Sequence, residues 1–160
     1  MASQQMLVGM GAKKFEATGG TITNYSSGGN NYQVHTFLTS GTFTPNMDGT
    51  VDILVVAGGG GGGTCNTNFQ GGGGGGAGGF ITSSGTSGAN SSPISSINVT
   101  AQNYVIQVGG GGVGGANAES ALGTSGSNSV ALGVTAIGGG RGGSIGQEGD
   151  SGGSGGGGKE

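Results

Sequence analysis

The apolar positions of this chain fall into short stretches that alternate with polar residues, and several of these stretches run directly into glycine. Thr21-Ile-Thr-Asn-Tyr25 is rich in β-formers, and the turn cluster from Ser26 to Asn31 separates it from Tyr32–Leu38. In that second stretch Tyr32, Val34, Thr36 and Leu38 share one face by a period of two, and Gln33, His35 and Phe37 share the other. Thr42-Phe-Thr44 predicts another short strand, closed by the turn Pro45-Asn-Met-Asp-Gly49. Thr50–Val56 is the most apolar segment, and its near-continuous run predicts a strand buried on both faces toward its end.

Further strands are expected at Phe80–Thr82, at Ile94–Thr100 with Tyr104–Val108 as its pairing partner, and at Ser129–Ile137. Ala116–Leu122 has the residues for one or two helical turns but is too short to stand alone. The fold expected is all-β: a small antiparallel β-sandwich with long glycine-rich loops and an extended N-terminal arm. Three regions follow, the arm at residues 1–14, a glycine-rich β-domain at 15–140, and a Gly/Ser-rich tail at 141–160.

Glycine changes this picture most. It supplies 46 of 160 residues, against a usual share of about 7%. Six consecutive glycines span Gly58–Gly63 and six more span Gly71–Gly76. A strand ends directly in a glycine run at Val56, at Val108 and at Ile137, so the runs are expected to emerge together at one end of the β-structure. Gly60, Gly61, Gly73, Gly74, Gly111, Gly112, Gly139 and Gly140 are the expected loop tips. Two arrangements are open to these runs. One is a set of flexible linkers. The other is extended, polyproline-II-like packing in which no side chain holds the backbones apart. Neither six-residue run contains serine, which weighs toward packing.

Glycine also loses the most conformational freedom on folding, and the apolar residues available to offset that loss are few. Association with copies of the same chain is therefore expected. Residues 1–12 are small and mildly apolar, and Met6, Leu7, Val8 and Met10 make them a candidate docking arm, with a frayed terminus as the plain alternative.

Charge and chemistry exclude much. The four cations, Lys13, Lys14, Arg141 and Lys159, form no patch of the kind that binds nucleic acid. No apolar stretch is long enough to cross a membrane as a helix. The glycine runs satisfy dinucleotide-binding spacing trivially, but no helix of useful length follows them to hold a pyrophosphate. One histidine and one cysteine, His35 and Cys65, make a zinc site or a catalytic triad remote. No cofactor, metal or catalytic residue is assigned, and a non-enzymatic protein is expected.

The stretches Lys14-Phe-Glu-Ala-Thr-Gly-Gly-Thr-Ile-Thr23, Tyr32-Gln-Val-His-Thr-Phe-Leu-Thr-Ser-Gly-Thr-Phe-Thr44 and Val51-Asp-Ile-Leu-Val-Val-Ala57, the last leading into Gly58–Gly63, occur in that order. Together with Gly72–Phe80 and with Tyr104-Val-Ile-Gln-Val108 leading into Gly109–Gly112, they resemble the glycine-rich domain of bacteriophage structural proteins, over about residues 14–140. The resemblance implies a virion protein, a tail fibre or adhesin, commonly a homotrimer. It would attach to other virion proteins through its arm and contact a host cell-surface receptor with its glycine-rich end. A capsid-decoration or head-fibre protein is the first alternative. A glycine-rich surface- or ice-binding protein is the second, and the mixed strands at 32–56 speak against it.

Overall fold

A computed structural model describes residues 13–65, 71–88, 93–116 and 121–158. The arm residues Met6, Leu7, Val8 and Met10 lie outside the described residues. The fold is all-β, with small antiparallel sheets, as the period-two pattern requires.

Strand β1 (Ala17–Thr18), β4 (Gly41–Pro45) and β9 (Tyr104–Ile106) form a three-stranded sheet with β4 at its centre. Ala17 opposes Pro45, and Gly41 opposes Ile106. β5 (Gly49–Val51) pairs with β8 (Ile97–Val99), and β6 (Leu54–Val56) with β7 (Phe80–Thr82). β2 (Thr21–Ser27) and β3 (Asn30–Thr36) form a longer hairpin, and β10 (Ser129–Ala131) and β11 (Val134–Ala136) a short one.

Two hairpins show how sequence sets the turn. Gly28 and Gly29 have φ of 58° and 81°, the left-handed pair that a two-residue turn between twisted strands needs. Leu132 and Gly133 do the same at 51° and 81°. Leucine is uncommon there, but its side chain packs against the apolar core and offsets that cost.

The core is small and nearly continuous. Ala17, Phe43 and Ile106 form one buried cluster, and Val55, Ala57 and Ala136 form a second. Ala131 packs against both.

Several expected strands change form. Thr50–Val56 is two strands, β5 and β6, broken at Asp52–Ile53. It is not buried on both faces: Val55 points inward, while Leu54 and Val56 are exposed. The core lies on one side only, so a run of apolar residues here does not mark two-sided burial. β8 and β9 do not pair with each other; the turn at 100–103 carries the chain between two sheets, where β8 joins β5 and β9 joins β4. Ser129–Ile137 is a hairpin rather than one strand. Tyr32–Leu38 ends its pairing at Thr36; Phe37 then turns onto the core, and Leu38 faces solvent. Within Ala116–Leu122, residues 117–120 lie outside the described residues, and Ala121 is bridged to Thr64 as extended chain.

Beyond the strands the glycine runs are packed against one another. Segment 57–64 is the axis. The N–H groups of Ala57, Gly60 and Gly63 donate to the carbonyls of Gly79, Gly76 and Gly73, at 2.8–2.9 Å. Those of Gly58, Gly61 and Thr64 donate to Ser127, Thr124 and Ala121. Gly112 and Gly115 donate back to Gly59 and Gly62, and Gly139 and Gly142 to Gly58 and Gly61. Each set advances by three residues, the repeat of a polyproline-II helix. Four neighbouring segments thus surround the axis, two antiparallel to it (73–79 and 121–127) and two parallel (112–115 and 139–142).

Segment 153–157 adds a sixth, bonded to 137–143 and 73–79 through Gly140 to Ser154, Gly143 to Gly157 and Gly157 to Gly74. The residues expected as a Gly/Ser-rich tail, 141–160, therefore continue the bundle as far as Gly157. Side chains tie its edges: Ser144 Oγ donates to the Thr64 carbonyl at 2.7 Å, and Asn128 Oδ1 accepts from the Gly138 N–H at 2.9 Å.

This packing sets a sharp substitution pattern. A β-carbon at Gly60 would overlap the Gly140 carbonyl, and one at Gly140 the Asp150 carbonyl, whereas Gly74 and Gly110 face open space. Gly60→Ala and Gly140→Ala are each expected to cost at least roughly 1–3 kcal/mol, because backbone must move. Gly74→Ala is expected to stabilise by about 0.4–1 kcal/mol, because it restricts the unfolded chain without a clash. Thermal denaturation of the three variants checks this; equal midpoints would contradict the packed bundle.

Candidate functional surface

The eight glycines expected at loop tips are not at tips. Gly60, Gly61, Gly73, Gly112, Gly139 and Gly140 lie inside the bundle, where an added β-carbon would meet a neighbouring backbone. Gly74 is exposed and unobstructed, and Gly111 is exposed with only the Gly59 carbonyl at van der Waals distance. Serine-free glycine is needed here for approach and not for flexibility.

Most of the crowded glycines share one geometry. In the direction a side chain would take stands a carbonyl oxygen of the adjacent segment: Gly110 for Gly58, Val113 for Gly61, Gly143 for Gly63, Gly60 for Gly75. Glycine's second α-hydrogen occupies that direction, which is the arrangement of a Cα–H···O contact. What side chains the bundle bears are therefore pushed outward. The row of Gly71, Gly74 and Ala77 is exposed, and so is the row of Gly110, Val113 and Ala116. These rows are uncharged.

Where the strands feed the bundle, apolar groups reach solvent. Leu54 and Val56 project from β6, and Phe80, opposite Val56, projects from β7. Ile137, whose carbonyl accepts from the Gly79 N–H, is half exposed. The apolar run of Thr50–Val56 predicts Leu54 and Val56 in the interior, and the structure exposes both. The break at Asp52 was the signal that the run changes direction there.

The side chains with the most reactive chemistry are engaged in contacts within the fold. His35 lies 2.7 Å through Nδ1 from the Gly19 carbonyl and 3.0 Å through Nε2 from Gln33 Oε1, with its ring edge-on to Phe43. The Cys65 thiol faces the Gly71 carbonyl at 3.6 Å. Arg141 Nε is 3.0 Å from Asp150 Oδ2, a half-exposed ion pair that fastens segment 150–157 to the bundle. Among the described residues, no three His, Cys, Asp or Glu side chains gather in a way that would hold a metal ion.

Asp52 sits at the break between β5 and β6. Its Oδ1 accepts hydrogen bonds from Ser96 Oγ at 2.6 Å and Ser83 Oγ at 2.9 Å, so one carboxylate ties the start of β8 to the end of β7. These two bonds, Ser96 first, hold its pKa below the ordinary carboxylate value. A depressed folded-state pKa contributes stability that is present above the unfolded value and lost as pH falls through the folded one. Asp52→Ala is therefore expected to lower the denaturation midpoint at neutral pH, with the difference shrinking below about pH 4. Denaturation midpoints of both proteins across pH 2–7 check this, and a constant difference would contradict it.

Neither a comparison with curated proteins nor one with solved structures gives a match. A family model described as a glycine-rich domain matches residues 36–160. That span takes in β4 to β11 and all six packed glycine segments, so the expected kinship holds at the level of the domain and reaches beyond residue 140. The chain belongs to the glycine-rich domain family.

Proposed function

We propose that this protein is a non-enzymatic structural component of a bacteriophage particle, a tail-fibre or adhesin-like appendage that contributes to attachment. The observation that carries the reading is the union of a small strand core with a closely packed glycine bundle. The bundle fixes several chain segments side by side chiefly through backbone hydrogen bonds. Its outward rows are free to change without disturbing that scaffold. A support with variable, uncharged outward rows suits display and adhesion better than turnover of a substrate.

The order of motifs from Lys14 to Gly112, which resembles that of the glycine-rich domain of bacteriophage structural proteins, supports the particle as its place. In this reading the arm at residues 1–14 attaches to other virion proteins, and the glycine-rich end meets the host surface receptor.

Immunogold labelling of particles with antibody raised against the purified protein tests the proposal. Labels at the tail, in numbers that follow its symmetry, are expected. Labels over the capsid in high copy would move the protein to head decoration. Particles free of label would overturn a virion role.

A further inference from the structure

Among the described residues, the β2–β3 hairpin is the most exposed strand pair, touching the core only where His35 meets Phe43 and Gln33 meets Ala17. Each strand has seven residues, and both pair only with each other. All of these residues except His35 are exposed. Among the described residues, no other backbone segment bonds to Thr21–Ser27 or Asn30–Thr36, so both outer edges carry unpaired N–H and C=O groups. A lone two-stranded hairpin is marginal in water, and natural edges of this length are blunted by charge, proline or bulges. Here there is no bulge in the register and no Lys, Arg, Asp or Glu between Glu16 and Asp48.

The two faces differ. One face bears Ile22, Asn24, Gln33 and His35, and Gln33 Oε1 there accepts from the Ala17 N–H at 3.3 Å, against the body. The opposite face bears Thr23, Val34, Tyr25 and Tyr32. The tyrosine rings stack at 4.9 Å, yet Tyr25, Tyr32 and Val34 remain 52%, 41% and 39% exposed.

We propose that this hairpin is a self-association surface, in which the outer edge of β3 pairs with the outer edge of β2 of a second copy. When the copies are related by rotation about an axis along the strands, successive strands alternate in direction, so every new pair is antiparallel. Such a head-to-tail contact closes into a ring, and closure leaves no edge. The aromatic face then lines the interior, and the Gln33 face with the attached body stays outside. A charge-free segment suits this arrangement, because identical charges would otherwise meet around the axis. The copy is favoured over an unrelated partner because both edges are open at once, and one repeated contact satisfies both. The proposal stands independently of the virion reading.

Sedimentation velocity combined with amide hydrogen exchange on the full chain tests it. The expected result is a closed multimer in which the edge amides of β2 and β3 exchange slowly. Val34→Lys and Tyr25→Lys, each placing a charge on the interior face, are expected to weaken assembly about tenfold or more while the bundle amides of 57–63 stay protected. Asn24→Lys, on the outer face, is expected to leave assembly unchanged. Three results would overturn the proposal: a monomer at every concentration, a multimer whose hairpin amides exchange freely, or edge protection that persists in a dissociated Val34→Lys chain.

Discussion

Two peptide backbones approach closely enough for regular N–H···O=C bonding outside a pleated sheet only where no side chain intervenes. In this protein that condition is met on several sides of one segment at once. Residues 57–64 direct N–H groups to two neighbours and receive N–H groups from two others, with a three-residue repeat in each direction. Removing the side chain also removes apolar surface, so hydrophobic burial contributes little here. Stability comes from backbone hydrogen bonds, each worth about 1 kcal/mol net, and from weaker Cα–H···O contacts. Against these stands the large conformational entropy of glycine. A modest net gain per bond needs many bonds made together, and the alignment of six segments provides them.

The strand core starts this alignment. β6 delivers Ala57 into the bundle from a position fixed by Val55 in the second apolar cluster. β9 delivers Gly109, whose N–H donates to Ser129 Oγ at 2.9 Å. β11 delivers Ile137 beside Gly79. These three glycine segments therefore begin beside segments they will bond, and the entropy lost in bringing them together is borne partly by apolar contacts. The partners are distant in sequence, as with Gly61 and Gly142, so formation of the bundle is expected to follow that of the core and to be slow.

Much of the strand layer was legible in the sequence because side chains record it. The alternation in Tyr32–Phe37 and the Gly28-Gly29 turn mark the hairpin, and Phe43 marks the centre of the main sheet. Partner choice was less legible: Ile97–Val99 and Tyr104–Ile106 look complementary, yet the turn between them places them in different sheets. The glycine runs carried an even weaker record, since six identical residues show no phase. The phase was visible only where a larger residue interrupts. Val113 and Ala116 stand three apart and face outward, while Gly123 and Gly126 stand three apart and face inward. That spacing, and not the length of the runs, held the signal for ordered packing. The uncovered aromatic face of the hairpin was hidden for the opposite reason: its pattern is that of a buried strand, but nothing else in the described chain covers it.

The three-residue repeat has a further consequence for how such a chain can vary in length. In a strand, a slip of one residue exchanges the two faces. In this bundle, loss of one glycine from 58–63 turns every later residue by a third of a revolution about its segment. Donors aimed at 73–79 would then point toward another neighbour, and Thr64 would no longer meet Ala121. Gain or loss of three residues restores the same orientation one turn along. Length change within the axial segment is therefore quantised in triplets of residues, and the loops that join the segments are where other lengths are accommodated.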